Sequence, residues 1–434
     1  MNTRKFDLRA QKTSFLKGIV EAPASKSYTI RALLCASLDG KAAIFNPLYS
    51  RDTLAAITSL RKFGASIKSK GNKLLIKGFN GIPLLKSGRI NVGESGTLLR
   101  LLLPIAALGK GKFLVEGEGT LLQRTNRPIA EALLSLGVDI QGKDQEFRLP
   151  IIIKGKGGIE GGEVKVSAKI SSQAISSLLM VSPLARKDVT ILIKDEVVSK
   201  PYIDITLDVL KQAGIKVKRE GYTRFLIKSG QCFKFRENFT IGGDYSSAAF
   251  LIVAACLISS DVVITNMVKD KQGDRKIIDI LNSMGAKIKH SNNRVHIKGP
   301  FELKGRDINC ADTPDLVPIL AVAGCFAKGK TRIVNIGHLA HKESNRILTP
   351  ASELRKLGVD IEAGKDSLVI KESVLKPAEV SSCNDHRIAM ALVVAGLTVG
   401  GVTIKNAGAI SKSYPHFVMD MRSLGARLVV KKKS

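Results

Sequence analysis

The sequence predicts an α/β protein made of six α+β repeats, arranged as two domains of three repeats each. Three observations carry this. One phrase recurs six times: a helix-like stretch, a glycine, then a hydrophobic strand. It reads LRKFGASI from Leu60, LLSLGVDI from Leu133, LKQAGIKV from Leu210, LNSMGAKI from Leu281, LRKLGVDI from Leu354 and MRSLGARL from Met421. The shared glycines (Gly64, Gly137, Gly214, Gly285, Gly358 and Gly425) lie 67 to 77 residues apart. That period is too long for a solenoid unit and long enough for a βαβ-type one. Finally, a length of 434 residues suits two or three domains, so six repeats divide into two sets of three.

Within each repeat, a helix with apolar residues at helical spacing ends at the glycine, which fits a left-handed C-cap. An alternating strand follows (ASIKSK, AKIKHS), then a turn with Gly, Asn or Asp, then a second strand (KLLIKG, RVHIKG, SLVIKE). Helices and strands therefore go to different faces, with the helices inside. The sixth repeat ends at RLVVKKKS without its second strand, and about twenty strand-rich residues precede the first repeat. The N-terminal strands are expected to complete the C-terminal domain. The expected domains are 21–242, and 1–20 together with 243–434. The chain then crosses twice, the second time in GQCFKFRENFTIGGDYSSAAF near Gly242 and Gly243.

Composition narrows the class. A hydrophobic content of 44% excludes disorder, and with no Trp and 5% aromatics the cores must be aliphatic. The net charge of +30 fits nucleic acid, small multiply charged anions or a solvated lysine-rich surface. Apart from the terminal KKKS the lysines are scattered, which favours the last for most of them. Six cysteines lie far apart with no CxxC pair, so neither a zinc site nor a redox pair is indicated. They read as small buried hydrophobes in a reducing compartment. MNTRKFDLRAQKTSFLKG has no apolar signal core, and AAFLIVAACLI is too short to span a bilayer. A cytoplasmic enzyme with no membrane partner is expected.

Four polar groups of residues interrupt the hydrophobic pattern. PASKSYTIRALL puts Lys26, Ser27 and Arg31 at a helix start, either as an anion site or as a cap with solvated charges. VGESGTLLRLLLP opens another helix at Gly96 and Thr97 with Arg100 a turn on; the glycine lets a ligand approach the backbone, or the phrase is a plain junction. AKISSQAISSLLM brings Ser171, Ser172 and Gln173 into a third helix, as ligands or as caps. The fourth group comprises Asp315 in ADTPDLVPILA, Lys342, Glu343 and Arg346 in HKESNRI, Arg387 in SCNDHRIAMAL and Lys412 in ISKSYPHF. Asp385 and His386 read as a polar pair holding the start of that helix, and Arg387 as a ligand residue.

PASKSYTIRALL, GESGTLLR, SSQAISSLLM, VSKPYIDIT, TPDLVPILA, HKESNRI, NDHRIAMA and SKSYPHF, in that order, resemble the 5-enolpyruvylshikimate-3-phosphate synthase family of 3-phosphoshikimate 1-carboxyvinyltransferases. The resemblance covers essentially the whole chain. It implies two domains, each of three βαβαββ units around a pseudo-threefold axis. It also implies a place in the shikimate pathway to chorismate and the aromatic amino acids. In the reaction implied, the 5-hydroxyl of shikimate 3-phosphate adds to C2 of phosphoenolpyruvate while C3 is protonated; the ketal then loses phosphate and a proton. Each substrate brings a phosphate and a carboxylate, so the reaction demands cations, and arginine forks suit both groups.

Carried over by motif, the resemblance implies that Lys26 touches both substrates, while Ser27 and Arg31 hold the shikimate carboxylate end. Ser171, Ser172 and Ser199 would bind its phosphate, with Gln173 at the ring, Tyr202 nearby, and Asp315 and Lys342 also on this substrate. Phosphoenolpyruvate would meet Lys26, Gly96, Arg124, Gln173, Arg346, Arg387 and Lys412. Asp315 and Glu343 would be the acid–base pair, Asp315 serving the 5-hydroxyl and Glu343 the methylene carbon. No metal or organic cofactor is implied, the chain is expected to be a monomer, and glyphosate would compete with phosphoenolpyruvate. There are departures from the family pattern: Glu94 stands where many members have Asn, Leu101 where many have Pro, and Gln123 at the usual basic position, one before Arg124. The related UDP-N-acetylglucosamine enolpyruvyl transferases carry a reactive Cys before their Arg-Pro phrase, and GEGTLLQRTNRP has none. A nucleic-acid-binding repeat protein would interleave aromatics with its basic residues, and this chain does not.

Overall fold

The computed structural model of the chain describes residues 6–85, 87–235 and 238–432. Residues 1–5 of the expected segment 1–20, Arg236 and Glu237 of the expected crossing, and Lys433 and Ser434 of the terminal lysine block lie outside them.

The described residues form six four-stranded sheets that share one strand order. In the second repeat, Gly88–Asn91 runs parallel to Lys110–Glu116, which pairs antiparallel with Ile151–Lys156, which pairs antiparallel with Asp139–Gln141. Helix Gly96–Leu108 joins the parallel strands and helix Arg127–Ser135 leads into the hairpin, giving βαβαββ. All six repeat glycines end a helix with positive φ, from 77° at Gly214 to 114° at Gly285. A side chain in that conformation costs about 1–2 kcal/mol, so the glycine is the constant letter of the phrase.

The two helices of a repeat differ in kind. The one before the glycine is amphipathic: Arg51–Lys62 buries Ala56, Ile57 and Leu60 and ends in exposed Arg61 and Lys62. The other is buried all round. In Tyr245–Leu257 every residue from Tyr245 to Cys256 is buried, as expected of a helix that is apolar on each face.

The chain forms two compact units, Ala24–Ile241 and Met1–Pro23 with Gly242–Ser434. In the first, helix Gly96–Leu108 packs against both Lys26–Leu38 and Gln173–Val181. In the second, Tyr245–Leu257, Val317–Cys325 and His386–Val399 pack on one another, each backed by its own sheet. Distant segments finish three sheets. Phe6–Ala10 pairs antiparallel with both Val402–Lys405 and Leu428–Lys432 and supplies the hairpin strand that the sixth phrase lacks. Phe15–Glu21 runs parallel to Ser259–Thr265, and Phe239–Thr240 parallel to Ala42–Phe45. Among the described residues no helix is long and apolar enough to cross a membrane.

Candidate active site

In the unit Ala24–Ile241 the polar phrases sit at the N-termini of the buried helices. Ser25 caps Lys26–Leu38 by accepting from Tyr28 N–H at 3.5 Å. Lys26 opens that helix with Nζ 3.0 Å from Asp52 Oδ2, and Asp52 comes from the first turn of the neighbouring helix. Arg31 is 1% exposed. Its Nε donates to Thr206 Oγ1 at 2.7 Å, Nη1 to the Ser27 carbonyl at 3.1 Å and Nη2 to the Tyr202 carbonyl at 3.3 Å. Burial pushes its guanidinium down to about 10, so it is still a cation at neutral pH.

Helix Gly96–Leu108 is capped by Ser95, which accepts from Leu98 N–H at 3.3 Å. The guanidinium of Arg124 lies directly over Gly96: a Cβ there would stand 2.7 Å from Arg124 Nη1. The space beside Gly96, expected from sequence to admit a ligand, is thus occupied by this arginine. Gln123 is exposed, and Arg124 is the neighbour that reaches the helix start. Glu94, the carboxylate that departs from the family pattern, has a cation 3.6 Å away in Arg51.

The third helix is tied to the second through Gln173. Its Oε1 accepts from Arg100 Nη1 at 2.5 Å, and its Nε2 donates to Thr97 Oγ1 at 3.0 Å. Its backbone N–H donates to Ser171 Oγ at 3.2 Å. Ser172 donates to the Ser199 carbonyl at 3.0 Å. Ser199 holds a left-handed φ of 58° and is 3% exposed, and its hydroxyl is buried with no hydrogen-bond partner. Such a group costs about 1–3 kcal/mol until an acceptor or donor arrives. The Tyr202 carbonyl gathers Arg31, Thr206 Oγ1 at 2.9 Å and Ser176 Oγ at 3.4 Å.

In the other unit the charged groups form one network. Asp315 lies in the short turn Pro314–Leu316 between two arginines, with Oδ1 2.6 Å from Arg346 Nη1 and Oδ2 2.7 Å from Arg387 Nη2. Burial alone would raise its carboxyl, but Arg387, Arg346 and Lys342 outweigh burial and hold it well below the usual carboxylate range. Arg346 is 1% exposed. It reaches both oxygens of Asp385 at 2.7 and 3.1 Å, and Glu343 Oε2 at 2.8 Å. Burial lowers this guanidinium, and Asp385, Glu343 and Asp315 more than restore it, so it titrates well above its ordinary value. Asp385 caps His386–Val399 by accepting from Arg387 N–H at 2.9 Å. Lys412 donates to the Asn384 carbonyl at 2.7 Å.

The family profile described as EPSP synthase (3-phosphoshikimate 1-carboxyvinyltransferase) matches residues 10–421. The chain belongs to the EPSP synthase family. It is 42% identical over 431 residues to the 3-phosphoshikimate 1-carboxyvinyltransferase of Methanocaldococcus jannaschii, covering 98% of this chain and 99% of that one. It is 40% identical over 431 residues to the enzyme of that name from Methanococcus aeolicus, covering 97% and 99%. The solved EPSP synthase of Acinetobacter baumannii superposes with a TM-score of 0.82 at 26% identity, over 99% of this chain and 100% of that one. The enolpyruvyl transferase NikO of Streptomyces tendae has a TM-score of 0.80 at 17% identity, over 99% and 100%, a likeness of fold alone.

For an EPSP synthase family member, the structure gathers Lys26, Ser27, Arg31 and Tyr202 in one unit, beside the chain Ser171–Ser172–Gln173–Ser199 and the pair Gly96–Arg124. It gathers Asp315, Glu343, Arg346 and Arg387 in the other, with Lys412 bonded just before the Arg387 helix. Arg346, expected to face phosphoenolpyruvate, donates three of its five N–H groups to two carboxylates, Asp385 and Asp315, and forms an ion pair with a third, Glu343. The motifs pointed to the cations and missed their partners: Asp52, Arg100 as the tie to Gln173, and the Asp385 clamp. Two of these left a signal: Arg100, one turn after Gly96 and Thr97, and Asp385, the Asp before an apolar helix in NDHR.

Proposed function

We propose that the chain transfers the enolpyruvyl group of phosphoenolpyruvate to the 5-hydroxyl of shikimate 3-phosphate, releasing phosphate, as a 3-phosphoshikimate 1-carboxyvinyltransferase of aromatic amino-acid biosynthesis. The observation that carries this is the match, over nearly the whole chain, to relatives of that name. The assignment of roles is our reading. Ser171, Ser172 and Ser199 take the shikimate phosphate, and the unpartnered Ser199 hydroxyl supports this. Ser27, Arg31 and Tyr202 hold the carboxylate end, with Gln173 at the ring. Lys26, steadied by Asp52, serves both substrates. Arg124, Arg387 and Lys412 take the anionic groups of phosphoenolpyruvate, and Gly96 gives Arg124 its place. Arg346 positions Asp315 and Glu343 and offers phosphoenolpyruvate the N–H groups that Asp385 and Asp315 leave over. Lys342 joins Asp315 on shikimate 3-phosphate.

In the first step the 5-hydroxyl oxygen bonds to C2 of phosphoenolpyruvate, its proton passes to Asp315, and C3 gains a proton from Glu343. In the second, the C2–O bond to phosphate breaks while Glu343 takes a proton back from C3, and the proton held by Asp315 leaves with the phosphate, which restores both carboxyls. We place the enzyme in the cytoplasm as a monomer acting on these two small molecules, not on nucleic acid. Six unpaired cysteine thiols support a reducing compartment, and size-exclusion chromatography checks the monomer. The test of function is phosphate release with each substrate omitted in turn and with chelator present. Asp315→Ala should cost about 10²-fold or more in turnover while still binding shikimate 3-phosphate. Glu343→Gln should slow deuterium exchange into C3. Normal single-turnover rates in both variants would sink the acid–base assignment.

A further inference from the structure

The sheet of the first repeat differs from the other five on the face turned away from the core. Ile44 of strand Ala42–Phe45 and Leu74 and Ile76 of strand Lys73–Lys77 are buried. The residues that alternate with them point outward, and with Ser66 and Lys68 of strand Ser66–Lys70 they line a cavity of about 650 Å³. That size suits a small molecule. Register places Leu75 between Ala43 and Lys68 of the two neighbouring strands. Leu75 is 38% exposed, and with Ala43 and Phe45 it makes an apolar floor. Lys73 holds its Nζ 5.1 Å from the centre of the Phe45 ring. Lys41, Lys68, Lys73 and Lys77 share the lining with that floor.

Charge sets this face apart. Each of the other sheets holds a carboxylate against a basic side chain of a neighbouring strand: Asp139 with Lys154, Glu220 with Arg224, Asp261 with His296, Asp307 with Arg332, and Asp7 with Lys405. The four strands of the first sheet contain no Asp or Glu. Its lysines therefore repel one another around one cavity, with no carboxylate of their own sheet between them. We propose that this cavity is a binding site for a small amphiphilic anion, a carboxylate or phosphate carried on an apolar body. The body covers Ala43, Phe45 and Leu75, and the charge meets the lysines. A single-stranded nucleic acid needs aromatic faces for stacking; the lining has one ring, and Lys73 already lies over it. The site shares no residue with the groups assigned to shikimate 3-phosphate and phosphoenolpyruvate, so it stands independently of those roles.

The experiment is titration calorimetry of the full chain with naphthoate and with octanoate. One saturable site per chain is expected, and the tighter of the two anions tells an aromatic body from an aliphatic one. Acetate has the charge without the body and naphthylmethanol the body without the charge, so each should bind about tenfold more weakly or worse. Leu75→Glu removes the centre of the floor and supplies the carboxylate that the sheet lacks; affinity should fall about tenfold or more. Lys68→Gln combined with Lys73→Gln should cost about 2- to 30-fold and flatten the loss of affinity with added salt. Leu75 and Lys68 are exposed, so these variants should keep the wild-type Tm and phosphate release. Leu226→Glu, at the matching register position in the third repeat's sheet, is the control and should bind as wild type does. No saturable binding of either anion, unchanged binding in Leu75→Glu, or an equal loss in Leu226→Glu overturns the proposal. So does acetate binding as tightly as the larger anions, which would mean an adventitious ion only. Displacement by shikimate 3-phosphate with phosphoenolpyruvate overturns it too, since the probes would then sit among the substrate groups.

Discussion

Gly96→Ala adds one methyl group at the first residue of helix Gly96–Leu108. The backbone there is outside the left-handed region, so alanine fits it, and in a helix alanine is favoured over glycine by about 0.5–1 kcal/mol. The new Cβ would lie 2.7 Å from Arg124 Nη1, 3.2 Å from its Cζ and 3.5 Å from Leu121 Cδ1. The closest atoms are the far end of a flexible side chain, so the guanidinium swings away and the helix stays. A charge-assisted hydrogen bond to phosphoenolpyruvate lost in this way is worth about 1.5–3 kcal/mol. At about 1.4 kcal/mol per factor of ten, phosphoenolpyruvate affinity should fall about 10- to 150-fold. Glyphosate, the longer molecule, should lose more than the substrate. The assay is initial-rate phosphate release against phosphoenolpyruvate at saturating shikimate 3-phosphate, with glyphosate inhibition and a thermal melt alongside. A phosphoenolpyruvate KM within about twofold of wild type at unchanged Tm would refute Arg124 as its ligand. A marked drop in Tm would refute the claim that the side chain, not the helix, gives way.

Asp385→Ala should be among the most damaging single changes, because it leaves the buried Arg346 short of a bidentate partner. A loss of about 3–5 kcal/mol is expected, measured by denaturant unfolding, and a loss under about 1 kcal/mol would mean that Asp315 and Glu343 suffice. Gly358→Ala tests the repeat glycines. At φ 87°, with the nearest atom, the Val374 carbonyl oxygen, at 3.6 Å, there is strain without a clash, so a loss of about 1–2 kcal/mol is expected. Asp315 is held well below its ordinary value in the fold. The stability it contributes is in place above its unfolded value of about 3.9 and is lost as pH falls further. Denaturant midpoints followed into acid should therefore fall less steeply in Asp315→Asn.

The repeat was legible because each hairpin needs a residue at positive φ after its helix, and Gly64 through Gly425 mark those places at nearly constant spacing. The buried helices were legible only where polar letters open them. Tyr245–Leu257 is apolar on every face, so it carries no periodicity from which to orient it. The cationic half of the site could be read from SKSYTIR, HKESNRI and NDHR. Asp315, Glu343 and Asp385 could be read with them, but Asp52 could not, because in a chain with 38 Asp and Glu residues a lone carboxylate looks like any surface charge. What distinguishes Asp52 is burial beside Lys26, and only the folded chain creates that. The same limit hid the engagement of Arg346, since spacing shows that an arginine follows Glu343 by one turn and not which of its neighbours closes around it.

The strand Phe6–Ala10 lies between two partners that are made almost last, and this has a consequence for synthesis. The unit Ala24–Ile241 has its full complement of strands once Thr240 has emerged. Leu428 follows Glu21 by roughly 400 residues, which at about 5–20 residues per second is on the order of 20–80 s of translation. FLKGIVE has no sheet to join until Ser259–Thr265 is made, and FDLRA has none until Val402–Lys405, near the end of that interval. Strand segments kept waiting are open to pairing with the wrong edge. Charged residues within them (Asp7, Arg9, Lys17 and Glu21) are spaced so that neither segment offers an unbroken apolar run. The last strand to be made is thus paired with the first, and the second unit is closed only when both ends of the described chain are present.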